Sequence, residues 1–167
     1  MKFLRKLFFM SFFLYSANFA LAKDVVFYCV QNLDASENAF EITIRVEDFI
    51  FDYLFDSGLV VSNLSAESNE LSVWQNVETV KNALENQSEY ILIVNLTYDK
   101  NETTDKKTNK KFAQVEEIQY SLFSLEKNAL VFEKNKKIAK SNTKNDLLQR
   151  IEKANNNIMR SLVWKLK

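Results

Sequence analysis

The chain predicts a single compact α/β (α+β) domain in which a mixed sheet carries helices packed on it, in the order β-α-β-α-β-β-β-α. Three observations point there. Short β-branched and aromatic runs alternate with stretches of helical periodicity, a polar loop divides the chain near its middle, and one strongly amphipathic segment closes it.

The elements begin after a leader. Residues 1–22 carry the three parts of a signal peptide: Lys2, Arg5 and Lys6 as a positive start, the apolar run Leu7 to Tyr15, and the small-x-small sequence Ala20-Leu21-Ala22. Cleavage is expected between Ala22 and Lys23, and 23–167 then form the one domain. The apolar run is shorter than the roughly 20 residues that span a bilayer, so no stable transmembrane anchor is expected after cleavage. A lipoprotein signal ends in a cysteine directly after the small residues, whereas the single cysteine, Cys29, lies further on inside VVFYCV. The chain therefore reads as an exported protein without a lipid anchor. Cys29 reads as a buried strand residue, and a lone cysteine leaves no internal disulfide to staple the fold.

Asp24 to Val30 is short and apolar on both faces, as in a buried strand. Val46, Phe49, Ile50, Tyr53 and Leu54 then recur on one helical stripe, with Arg45, Glu47, Asp48 and Asp52 mostly off it. Gly58, the only glycine, stands where a helix stop needs a left-handed residue. Leu59 to Leu64 follows as a second strand. Val73, Val77, Val80 and Leu84 mark a weaker helix from Val73 to Asn86, and Glu89 to Tyr98 is the clearest strand, with a first half suited to a central position.

Residues 99–111 (DKNETTDKKTNKK) are polar throughout and read as an exposed loop or hairpin tip. Phe112 to Leu125 alternates, placing Ile118, Tyr120 and Leu122 on one face; Glu126 to Ala129 can turn, and Leu130 to Ala139 returns as a polar strand whose Lys and Glu content suits a solvated edge. Thr143, with Asp146 three residues on, caps a terminal helix through Leu147, Ile151, Ala154, Ile158 and Leu162, which is expected to cover the sheet.

Composition narrows the function. The chain has 22 basic and 22 acidic residues; without the leader's three cations, 19 face 22, a formal charge of −3. That balance argues against a nucleic-acid partner. With no histidine, the Ser-His-Asp, Cys-His and His-zinc arrangements are absent, and one glycine cannot build a phosphate-cradling loop. Carboxylates alone remain. Glu116 and Glu117, and Glu47, Asp48, Asp52 and Asp56, read as solvated charge, and no EF-hand spacing occurs. No catalytic residue, cofactor or metal is expected. Trp74 and Trp164, near helix ends, either plug the core's edge or anchor a partner, and are the possible partner-binding residues. The single glycine, the absence of proline and the abundance of Lys, Asn, Phe and Ile suggest the codon bias of an AT-rich bacterial genome.

The helix running into a strand (VEDFIFDYLFDSGLVVSNL), the helix leading to ALENQSEYILIV, the strand pair YSLFSLEKNALVFEKNKKIAKS and the terminal amphipathic helix together resemble the small α/β domain shared by the N-terminal domain of TolB, the curli secretion protein CsgG and the lipoprotein activators of penicillin-binding proteins. This pattern covers most of residues 24 to 165. The resemblance implies a periplasmic adaptor that binds another envelope protein and performs no chemistry. The alternative is a carrier of a small ligand or lipid, with its pocket between the sheet and the C-terminal helix.

Overall fold

The computed structural model describes residues 22–32, 35–63, 83, 85 and 88–166. Within them, strand β1 (Asp24–Gln31) leads into helix α1 (Ala39–Asp56) and strand β2 (Val60–Asn63); β3 (Tyr90–Tyr98) is followed by the short strands β4 (Thr103–Thr104) and β5 (Lys111–Phe112), then by β6 (Val115–Ser124), β7 (Ala129–Lys137) and helix α2 (Lys144–Leu166). The result is one α+β domain with a mixed sheet and two described helices, as the periodicities predict. The expected leader, with its cleavage at Ala22 and Lys23, lies outside the described residues except for Ala22 and Lys23 themselves. So does most of the expected helix from Val73 to Asn86, of which Ala83 and Glu85 are described, both helical.

Five strands form the sheet in the order β2-β1-β3-β6-β7. β1 pairs in parallel with both β2 and β3, while β6 runs antiparallel to β3 and to β7. The two most apolar segments, β1 and β3, are thus neighbours inside the sheet, where both faces are covered and a continuous run of Val, Ile, Leu and Phe is stable. Alternate residues serve the two faces. Val25, Phe27 and Cys29 of β1 and Leu92, Val94 and Leu96 of β3 join the main core with Ile118, Tyr120 and Leu122 of β6. Val26, Tyr28 and Val30 with Ile91 and Ile93 face the other way, where Ala83 packs among them.

Both helices contribute to the main core, α1 through Ile42, Val46, Ile50 and Leu54, and α2 through Leu147, Ile151, Ile158, Met159 and Leu162. Within that core Tyr98 Oη lies 2.8 Å from Thr43 Oγ1 and donates to the Ala39 carbonyl at 3.2 Å, tying the end of β3 to the first turns of α1.

Local chemistry ends each element where the residues predict. Gly58 takes φ +83°, its N–H donates to the Phe55 carbonyl at 2.9 Å, and the Leu59 N–H reaches back to Leu54 at 3.3 Å. That pair of bonds is the Schellman closure of a helix. Asn128, at φ 47°, turns β6 into β7. The Asp146 N–H donates to Thr143 Oγ1 at 3.3 Å, the expected cap of α2. The polar loop 99–111 proves to be a built hairpin: β4 and β5 pair across it, and Asp105, directly after β4, is buried. A hairpin is one of the two expected forms of this stretch; the burial of Asp105 is the departure, because backbone and carboxylate hydrogen bonds create it and a polar string gives no sign of them.

Candidate protein-binding surface

Eighteen residues of α1 are more apolar than one buried face requires. Ala39, Ile42, Thr43, Val46, Ile50 and Leu54 are buried. Phe40, Ile44, Phe51 and Phe55 are not: Phe40 and Phe55 are 63% and 62% exposed, and the other two are also open to solvent. At about 100° per residue these four side chains fall within an arc of roughly 60°, centred roughly 120° around the helix from the buried stripe. α1 therefore presents a second apolar stripe that lies outside the described core. Phe51 and Phe55 stack along it, ring centroids 6.2 Å apart and planes 7° from parallel.

Glu47 shows which way the stripe faces. It lies between the two apolar stripes and its side chain is hydrogen-bonded to Asn63 of β2, so this flank of α1 adjoins the β2 edge of the sheet. Burial there raises the Glu47 carboxyl above its ordinary value, against the opposing effect of the Asn63 bond. The opposite flank, with Phe49 and Tyr53 half-buried, turns towards α2. A cleft of about 200 Å³ lies between the helices there, walled by Val46, Phe49, Leu148 and Ile151 with Asn155 at its floor.

The sheet's two edges differ. β7 carries Glu133, Lys134, Lys136 and Lys137, all exposed, a charged rim that resists strand addition. β2 is short and bears Val60, Val61, Ser62 and Asn63, with no charge and with Val60 49% exposed. Among the described residues, the outer side of this uncharged edge strand has no strand beside it and lies next to the exposed apolar stripe.

The residues singled out by sequence are distributed differently. Trp164 is 80% exposed near the end of α2, so it does not plug the core; Trp74 lies outside the described residues. Trp164 does not belong to the α1 stripe. Cys29 is buried and unpaired, and burial, with the charge of Glu47 adding to it, pushes the thiol well above its ordinary pKa. Glu116, Asp48, Asp52 and Asp56 are exposed and Glu117 half-buried. Among the described residues no group of His, Cys, Asp and Glu is placed to hold a metal, and no helix is long and apolar enough to cross a membrane. The stripe itself escaped the sequence reading because Phe40 and Ile44 precede the periodic run that begins at Val46, and Phe51 and Phe55 pass for flanks of the buried stripe. The signal that finds it is the spacing of four, seven and four.

These features define a small α+β domain that, among the described residues, leaves one apolar helix flank and one uncharged sheet edge open. The chain belongs to a family described as "Uncharacterised protein", whose model matches residues 24–166. No curated protein matches it. Among solved structures it is similar to the C-terminal domain of LpoB from Salmonella enterica, with 14% identity over 76% of this chain and 90% of that one and a TM-score of 0.42. It is also similar to lipoprotein GNA1162 from Neisseria meningitidis, with 12% identity over 83% and 99% and a TM-score of 0.46. For a PelC dodecamer from Paraburkholderia phytofirmans the identity is 15%, the coverage 84% and 92%, and the TM-score 0.45.

Proposed function

We propose that the chain is an exported, non-enzymatic protein of a bacterial envelope, an adaptor or assembly factor of the periplasm that binds another envelope protein through the α1 flank and the β2 edge. The observation that carries this reading is the stripe of Phe40, Ile44, Phe51 and Phe55. Four large apolar side chains aligned on one helix face and left outside the described core cost solubility, which is the signature of a surface that another protein covers. Phe51 and Phe55, already stacked, would enter an interface with little rotamer freedom left to lose. The signal-like leader supports the compartment, and the lack of histidine, with no clustered ligand set among the described residues, supports binding in place of catalysis.

Crosslinking in intact cells, followed by affinity purification and mass spectrometry, tests the proposal. The expected result is one envelope protein recovered with the wild type and lost with a Phe51→Asp/Phe55→Asp variant that is exported and folded to the same level. Recovery of that protein undiminished with the variant would remove the stripe from the reading, and recovery of the chain alone would remove the adaptor.

A further inference from the structure

At the end of the sheet where both helices begin, the hairpin 105–111 leans against the first turn of α2 and encloses a cavity of about 280 Å³ with the start of α1. Four lysines line it, Lys107, Lys110, Lys111 and Lys144, against two carboxylates, Glu41 and Asp105. Both carboxylates are already engaged. Glu41 is ion-paired with Lys144. Asp105, 5% exposed, accepts the N–H groups of Lys107 at 2.7 Å and Thr108 at 3.0 Å on one oxygen and that of Lys144 at 2.8 Å on the other. The helix end therefore has its anion, and what remains for a ligand is the lysine cluster.

Lys107, Lys110 and Lys111 enter no salt bridge among the described residues. Glu102, outside the cavity, feels the charge of Lys111 but is held by a 2.7 Å bond from Asn38. Nor is the hairpin a slack loop. Asp105 N–H donates to the Lys110 carbonyl at 2.8 Å, Asn109 N–H to the Asp105 carbonyl at 2.8 Å, and Lys106 N–H to the Asn142 carbonyl at 3.1 Å. Asn109 supplies the positive φ that the turn needs. A buried carboxylate thus fixes the backbone that carries three exposed lysines around one concavity, where an entering anion would meet all three.

We infer that this cavity binds a phosphate group. Lysine acts as a point charge that suits a compact, multiply charged oxyanion, whereas a lone carboxylate is best matched by the guanidinium fork, and among the described residues no arginine lines the cavity. The Thr108 hydroxyl is taken up by Asp105, whereas Thr143, also at the wall, accepts the Asp146 N–H and keeps a hydroxyl proton to donate. The volume is near the lower limit of small-molecule sites, about 300 Å³, and suits a phosphorylated head of few atoms. That head arrives either as a free phosphate or phosphomonoester or as the headgroup of an anionic phospholipid.

Two measurements on the exported protein, purified from cells and isotope-labelled, test this. Inorganic phosphate is titrated against amide NMR spectra at constant ionic strength, and vesicles of phosphatidylglycerol are compared with vesicles of phosphatidylcholine by co-sedimentation. The expected result is saturable shifts confined to 105–111 and 143–145, sedimentation with phosphatidylglycerol only, or both; the first identifies a free anion as ligand and the second alone a headgroup. The triple variant Lys107→Ala/Lys110→Ala/Lys111→Ala should weaken whichever response is seen by roughly tenfold or more, and Lys110→Glu should do so with a single change should the triple variant fold poorly. Phe51→Asp/Phe55→Asp should leave it unchanged, which separates this site from the α1 surface. Silence in both wild-type measurements, or a lysine variant that binds like the wild type, overturns the inference.

Discussion

Tyr120 on β6 donates its phenol to Asn155 Oδ1 on α2, and both side chains are shut away from water between the sheet and the helix. The bond fixes the height at which α2 lies on the sheet. It also leaves Asn155 Nδ2 without a partner among the described residues, so this amide is already half-satisfied. Removing the phenol oxygen by Tyr120→Phe orphans the amide entirely, and a buried polar group without a partner costs about 1–3 kcal/mol. Chemical denaturation should show Tyr120→Phe destabilised by that amount. Tyr120→Phe/Asn155→Leu should recover much of the loss, because no polar atom is then stranded.

The same burial makes the protein sensitive to alkali. Desolvation raises the pKa values of Cys29, Tyr98 and Tyr120, with the Thr43 bond partly opposing it at Tyr98. Each group is neutral when protonated and holds its proton more tightly folded than unfolded. Its contribution is complete below the unfolded pKa, about 8.5 for cysteine and about 10 for tyrosine, and is lost as pH rises from there towards the folded value. Stability measured by urea titration should therefore be level through neutral pH, begin to fall near pH 8.5 and fall faster above pH 10, each group adding up to about 1.4 kcal/mol per pH unit. Cys29→Val should remove the first decline and leave the second. A flat profile to pH 11 would contradict the burial of these groups.

Gly58 holds φ +83° with open space where a Cβ would stand. The cost of Gly58→Ala is therefore conformational and not steric. It should destabilise the domain by about 1–2 kcal/mol, the expense of a left-handed alanine, while Gly58→Asn should cost less. Thermal unfolding of the two variants gives the order directly.

How far the sequence reveals this molecule depends on the kind of interaction involved. Periodic burial is legible, so β1, β3, β6 and both described helices stand close to where their apolar spacing places them, and Thr143, Gly58 and the polar β7 edge behave as their chemistry requires. Long-range hydrogen bonds are not. Asp105 looks like one charge in a solvated string, yet it is buried because three backbone N–H groups from two parts of the chain converge on it. The α1 stripe is hidden for the converse reason: exposed and buried phenylalanines are indistinguishable until the sheet shows which flank it covers. Trp164, conspicuous by type, stands apart from that stripe.

The unused stripe of α1 gives the sharpest separation between folding and binding. Phe51 and Phe55 touch each other along an exposed face and lie outside the buried stripe, so truncating them removes little that holds the domain together. Phe51→Ser and Phe55→Ser should each change unfolding free energy by no more than roughly 0.5 kcal/mol, the ordinary range for surface positions. Ile50→Ala, one residue away on the buried stripe and fully enclosed, should cost about 2–5 kcal/mol. Partner recovery should follow the opposite order at matched protein levels, lost with the phenylalanine variants and kept with whatever fraction of Ile50→Ala remains folded. Were Phe51→Ser to lower the melting temperature as much as Ile50→Ala, the stripe would belong to the core of a larger folded unit and not to a docking face.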